Sequence, residues 1–142
     1  MVEAIALAKA AAALGEVPVG AVVIADGRII GRGHNLREST MVSTRHAEIV
    51  AIEEACKTVG SWRPEDCDLV VTLEPCLMCA GAIYQSRIRR VVFATPDPQA
   101  GALGSLYEIH KDVRLNHRFV VDTGVLAEPC SALLKDFFAA RR

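Results

Sequence analysis

Asp68-Leu69-Val70-Val71-Thr72-Leu73-Glu74-Pro75-Cys76-Leu77-Met78-Cys79 is the stretch on which the fold of this chain turns. Asp68 to Leu73 is a short apolar, β-branched run, the pattern of a buried strand. Pro75 suits the first turn of a helix, where its missing N–H has no partner to lose, and the spacing predicts a helix over Cys76 to Ser86. Arg90 to Ala94 then reads as another strand. A strand, a helix and a strand in this order predict a parallel pair joined by a right-handed crossover.

Upstream, Val17 to Ile24 and Arg28 to Arg32 are β-branched runs joined by Asp26-Gly27, a hairpin turn that makes them antiparallel neighbours. Before them, Val2 to Leu14 is Ala-rich and helix-prone, and Gly15 is placed to end it. A polar loop is expected from His34 to Thr44. Ser43 or Thr44 can cap a helix from about Arg45 to Thr58, with Ile49, Ile52, Ala55 and Cys56 at helical spacing. Downstream, Pro96-Asp97-Pro98, Gly101 and Gly104 make an irregular connection, with a short helix near Leu106 to His110. Phe119 to Asp122 is read as a last strand. Glu128 to Arg141 is read as a last helix, with Leu133, Leu134, Phe137 and Phe138 on its apolar face. Together these predict an α/β fold: a three-layer α/β/α sandwich around one mixed, about five-stranded sheet.

At 142 residues, the chain is long enough for one domain with a substantial core, and the reading is a single domain over residues 1–142. The apolar run Ala4 to Leu14 is interrupted by Lys9 and is too short to span a membrane. It also lacks the basic start of a signal peptide, so a soluble cytoplasmic protein is expected. Five cysteines are an odd number. Cys56, Cys67 and Cys130 read as small buried hydrophobes rather than a disulfide framework. A net charge of −1 argues against tight non-specific nucleic-acid binding, although the positive charge is concentrated in the second half of the chain.

Cys76 and Cys79 face one side of a helix first turn, and His46-Ala47-Glu48 begins the preceding helix. One imidazole and two thiolates are three ligands that suit Zn²⁺ and leave its fourth tetrahedral position open. The helix dipole favours the thiolates. Zinc lowers the pKa of a bound water toward about 7, and Glu48 can share the cavity without being a ligand, taking the water proton and delivering it onward. A closed structural zinc site would carry a fourth ligand at motif spacing, and His34, His110 and His117 lie in no such motif.

The combination H-x-E with P-C-x-x-C is the signature of zinc nucleobase deaminases. With these residues the chain resembles the cytidine-deaminase-like superfamily, and within it the tRNA-specific adenosine deaminases. The likeness extends through Glu16-Val17-Pro18-Val19-Gly20-Ala21-Val22, His34-Asn35-Leu36-Arg37-Glu38, Thr72 to Ile83, Gly101 to Leu106, Asn116-His117 and Phe137-Phe138. It implies zinc-dependent deamination of adenosine to inosine at the wobble position of a tRNA anticodon stem-loop, by a homodimer with one Zn²⁺ per chain. Residue by residue it implies that His46, Cys76 and Cys79 hold the metal and Glu48 moves the proton. Asn35 would hydrogen-bond the purine, the Ala47 N–H would face the pocket, and Asp97 would lie near the nucleotide backbone. Turn residues are the alternative readings of Asn35 and Asp97.

Arg45, Pro96 and Gln99 depart from the family's usual residues, and the chain carries no long basic extension beyond Arg141-Arg142. Arg87, Arg89, Arg90, Arg118 and these last arginines are therefore the expected source of RNA-binding charge. Two other functions remain open: a deaminase of free guanine, cytosine or cytidine on the same fold, and a non-catalytic zinc-stabilised dimerisation module. Glu48 speaks against the module, which has no need of that carboxylate.

Overall fold

The structure is a computed structural model that describes residues 1–141. Its elements, in order, are α1 (Val2–Ala13), β1 (Gly20–Ala25), β2 (Arg28–His34), α2 (Arg37–Thr40), α3 (Ala47–Val59), β3 (Asp68–Leu73), α4 (Leu77–Gln85), β4 (Arg90–Thr95), a 3₁₀ turn (Ile109–Lys111), β5 (Val120–Thr123) and α5 (Ala127–Ala139). One mixed sheet runs in the order β2-β1-β3-β4-β5. β1 is antiparallel to β2 and β3, while β3, β4 and β5 are parallel. The expected hairpin is present: Asp26 and Gly27 both take positive φ, +50° and +74°, which a two-residue turn of this hand requires.

Strand alternation divides the core into two layers. Ala21, Val23, Leu69, Val71, Val91 and Phe93 face α3 and α4, joining Ala51, Ala80 and Ile83. Val22, Val70 and Val92 face the opposite side, where α1 supplies Leu7 and α5 packs beside α1 over β3 and β4. Leu69, Ile83 and Ile88 are fully buried, and each such side chain stabilises the fold by roughly 1.5–3 kcal/mol. α3 lies unusually close to β2. A Cβ at Gly31 would fall 2.2 Å from the Ala51 carbonyl oxygen, and one at Gly33 would fall 2.3 Å from that of Ala47. Glycine at these two positions sets the height of the helix that carries His46 and Glu48.

Several local expectations are corrected. β1 starts at Gly20 rather than Val17, because Pro18 has no N–H for a ladder and Val19 instead donates to the Val17 carbonyl at 2.8 Å. The loop after β2 contains one helical turn, α2. α3 starts at Ala47 with His46 as its N-cap, and no Ser43 or Thr44 side chain caps it. The helix expected near Leu106 is the 3₁₀ turn three residues later. On α5, Phe137 is buried but Phe138 is 48% exposed, since adjacent residues point about 100° apart on a helix. Among the described residues, no helix is long and apolar enough to cross a membrane.

Candidate active site

The N-termini of α3 and α4 meet at the carboxyl end of β3. His46 and Cys76 are the two N-cap residues, both with extended backbone (φ −74°, ψ 155° and φ −74°, ψ 177°). Cys79 follows in the first turn of α4, fully buried. His46 Nδ1 lies 3.6 Å from Cys76 Sγ and 3.6 Å from Cys79 Sγ. A tetrahedral zinc with Zn–N of about 2.1 Å and Zn–S of about 2.3 Å has an N···S edge of about 3.6 Å. The donor set and its spacing therefore fit the ion. Among the described residues, no fourth His, Cys, Asp or Glu joins this group.

The three ligands are electrostatically coupled. A hydrogen bond from the Cys79 thiol, then the His46 imidazole, pulls Cys76 down to about 4 despite burial. Cys76 and burial together drive Cys79 in the opposite direction, upward. The hydrogen bond to Cys76 raises His46. Glu48 sits two residues into α3 and is only 4% exposed. Burial pushes its carboxyl up to about 6, with His46 opposing the rise.

These groups open into a cavity of about 170 Å³, a size that suits one flat heterocycle. Asn35, His46, Ala47, Glu48, Cys76 and Asp97 all line it. Ala47 is the first residue of α3, where the backbone N–H has no partner inside the helix. Asn35 is partly committed to its own loop: Oδ1 accepts from the Arg37 N–H at 3.2 Å, and Nδ2 reaches the Val17 carbonyl at 3.5 Å. Asp97 Oδ1 accepts from the N–H groups of Gln99 and Ala100 at 3.0 and 3.2 Å. The turn role of each residue is thus present alongside its place on the cavity wall.

Sequence reasoning missed the apolar lining from Val17, Val19 and Leu73, and the polar residues Arg37 and Glu74. The Pro18 interruption signals the first two; Glu74 stood in the quoted motif without a role. Four of the arginines singled out in the sequence are engaged within the fold. Arg89 and Arg90 are ion-paired with Asp68 and Asp122 at the amino ends of β3 and β4. That is about 17 Å back along the strands from the cavity, at 3.3 Å per residue. Arg45 pairs with Glu53 at 2.7 Å. Arg87 donates to the Tyr84 carbonyl and covers the Tyr84 ring, whereas Arg118 has no ion pair among the described residues. Arg142 lies outside the described residues.

The MafB19-like deaminase family profile matches residues 1–142. A Bacillus subtilis (strain 168) protein named tRNA-specific adenosine deaminase is 50% identical over 142 residues, covering 100% of this chain and 88% of that one. A Haemophilus influenzae protein of the same name is 49% identical over 140 residues, covering 98% and 81%. A structure solved in work on A-to-I editing by tRNA:A34 deaminases superposes with a TM-score of 0.89 at 39% identity, covering 92% of this chain and 95% of that one. A guanine deaminase from Nitrosomonas europaea superposes with a TM-score of 0.83 at 26% identity, covering 96% and 81%. The cytidine-deaminase-like fold, the deaminase signature and full-length similarity agree, and the chain belongs to the tRNA-specific adenosine deaminase family.

Proposed function

We propose that the chain is a single zinc-dependent domain that hydrolyses adenosine to inosine, releasing ammonia, at the wobble position of a tRNA anticodon in the cytoplasm. The observation that carries the reading is Glu48 and the His46–Cys76–Cys79 cluster opening together into a purine-sized cavity. When bound by these three residues, zinc supplies the Lewis acidity that makes a water nucleophilic near neutral pH. Glu48 takes one proton from the water and gives it to a ring nitrogen, then takes the second from the hydroxyl added to the base and gives it to the amine, which leaves as ammonia. Asn35 and the Ala47 N–H hold the edge of the extruded base, while Val17, Val19 and Leu73 cover its faces and exclude water.

The deciding experiment is inosine analysis after incubation with an anticodon stem-loop bearing wobble adenosine, with adenosine, guanine, cytosine and cytidine run in parallel. Inosine in the stem-loop alone is expected. Preferred turnover of a free base or nucleoside would select the metabolic alternative, which the guanine deaminase similarity supports. A metal-loaded protein inert on all five substrates would select the non-catalytic module.

The working unit is proposed to be a homodimer in which α4 and the segment near Arg87 lie by the interface. In support, α4 carries Leu77 at 50% exposure, one turn from Gly81, whose outer side is open. Light scattering at working concentration is expected to give twice the chain mass. A fully RNA-active monomer would defeat the proposal.

Asp97 is proposed to favour RNA over DNA. One oxygen already holds the loop, leaving Oδ2 to accept from a ribose 2′-OH, which DNA lacks. Asp97→Asn keeps the turn acceptor and removes a negative charge beside a polyanion. The ratio of kcat/KM on RNA to that on the matching DNA stem-loop is expected to fall several-fold. An unchanged ratio would leave Asp97 a turn residue.

A further inference from the structure

Besides Glu48, two carboxylates near the cavity are buried without a cation: Glu16 at 0% exposure and Glu74 at 2%. Neither takes part in an ion pair among the described residues. A buried charge is unfavourable unless its oxygens are fully hydrogen-bonded. At Glu74 all four lone pairs are engaged. Oε1 accepts from the Asp97 N–H at 3.0 Å and from the Ser105 hydroxyl. Oε2 accepts from the Leu103 and Ser105 N–H groups at 3.0 and 3.1 Å. At Glu16, Oε1 accepts from the Glu38 N–H at 3.0 Å and Oε2 from the Ser39 N–H at 2.6 Å. Burial alone would raise both carboxyls, but these bonds outweigh it and hold both below the usual range. Carboxylates so committed are poor proton carriers, and the proposed reaction does not use them.

The bonds fall on two separate segments that contribute to the cavity wall. Glu16 grips the start of α2, next to Asn35 and Arg37. Glu74 grips residues 97–105, which supply Asp97 and Ala100. Residues 35–40 and 96–100 are all half-buried or exposed, so the parts of the two segments that face the cavity have no apolar packing of their own; the second segment is anchored further on by Ala102 and Leu103 in the core. Space around Glu74 is closed as well: a Cβ at Gly101 would lie 2.2 Å from its carboxylate. The Ala102 N–H donates to the Pro75 carbonyl at 2.9 Å, and Gly101 bridges to Cys76. The 97–105 wall is therefore referenced directly to a metal-ligating residue.

We propose that Glu16 and Glu74 are paired positioning residues that fix the width of the base slot by pinning its two walls, and so set how tightly an extruded base is gripped. The proposal rests on the deaminase reading. Each replacement by Gln puts an NH₂ group against backbone donors, removing one bond at Glu16 and one or two at Glu74, where the Ser105 hydroxyl can turn to accept.

The test measures kcat and KM separately for wild type, Glu16→Gln, Glu74→Gln and Ser105→Ala, on whichever substrate of the five the wild type turns over. Zinc content and amide exchange are measured alongside. KM is expected to rise about tenfold or more in the two Gln variants, and by less in Ser105→Ala, with kcat within about threefold and zinc at the wild-type level. Exchange is expected to quicken at Glu38 and Ser39 for Glu16→Gln, and at Asp97, Leu103 and Ser105 for Glu74→Gln. Ser105→Ala keeps the question answerable if Glu74→Gln does not fold. An unchanged KM with kcat and zinc content falling in proportion would make both residues supports of the fold only, and would overturn the proposal. A wild type active on free base alone would overturn the tRNA reading instead, with the split then read on that base.

Discussion

Glu48→Gln is expected to abolish inosine formation, lowering kcat by about 10³-fold or more, at the upper end of what one acid–base group contributes. The amide keeps the shape of the side chain but cannot take a proton from water. Burial pushes Glu48 up to about 6, so near neutral pH the carboxyl lies close to the balance between accepting and returning a proton. That balance has a cost in stability, because Glu48 is 4% exposed and without a cationic ion pair among the described residues. Replacing an incompletely compensated buried charge with a neutral isostere is often neutral or stabilising. The variant is therefore expected to bind zinc at the wild-type level and to melt at or above the wild-type temperature while losing its activity. Separate metal analysis, thermal melts and stem-loop turnover read the three quantities. Near-normal turnover would remove Glu48 from the reaction, and a loss of zinc would recast it as a support of the metal centre.

What was legible in the sequence is what short-range chemistry dictates. The β3–α4–β4 unit and the β1–β2 hairpin were readable because apolar runs, Pro75 and Asp26-Gly27 act within a few residues. The metal cluster was readable because three soft ligands with H-x-E spacing rarely co-occur for another reason, and His46, Cys76 and Cys79 do converge. The parts that failed depend on distant partners. The turn of α2 is held by Glu16, 22 residues away from Glu38 in sequence, and nothing in the local sequence marks that bond. The helix expected near Leu106 gives way to a segment wrapped around Glu74, which accepts from Ser105 across 31 residues. The partners of the arginines at the start of β4 were likewise not legible, since what lies beside an arginine depends on the neighbouring strands. Asp68 and Asp122, on neighbouring strands, occupy Arg89 and Arg90. Asn35 and Asp97 were each given two alternative roles, and the fold places both on the cavity while also using one oxygen of each in a turn.

Cys79→Ser is expected to reduce zinc from about one per chain to under about a tenth, with deamination falling in parallel. A hydroxyl is a harder and far less acidic donor than a thiol, and zinc binds Cys as the thiolate. The side chain is fully buried in α4, so the fold offers the ion little room to recruit a replacement ligand. Metal that binds only the folded chain also adds to its stability, by about 4 kcal/mol when free zinc is a thousandfold above its Kd. The variant should therefore melt well below zinc-loaded wild type but close to wild type stripped by a chelator. Returning zinc should restore activity to the stripped wild type and not to the variant. Cys56→Ser is the matched control, because Cys56 is a free, half-buried cysteine of α3 outside the cluster, and it is expected to keep both zinc and activity. Full zinc content in Cys79→Ser would place the metal elsewhere in the chain. Loss of zinc with activity retained would separate the metal from the reaction altogether, leaving Glu48 and the cavity without the Lewis acid on which the proposed hydrolysis depends.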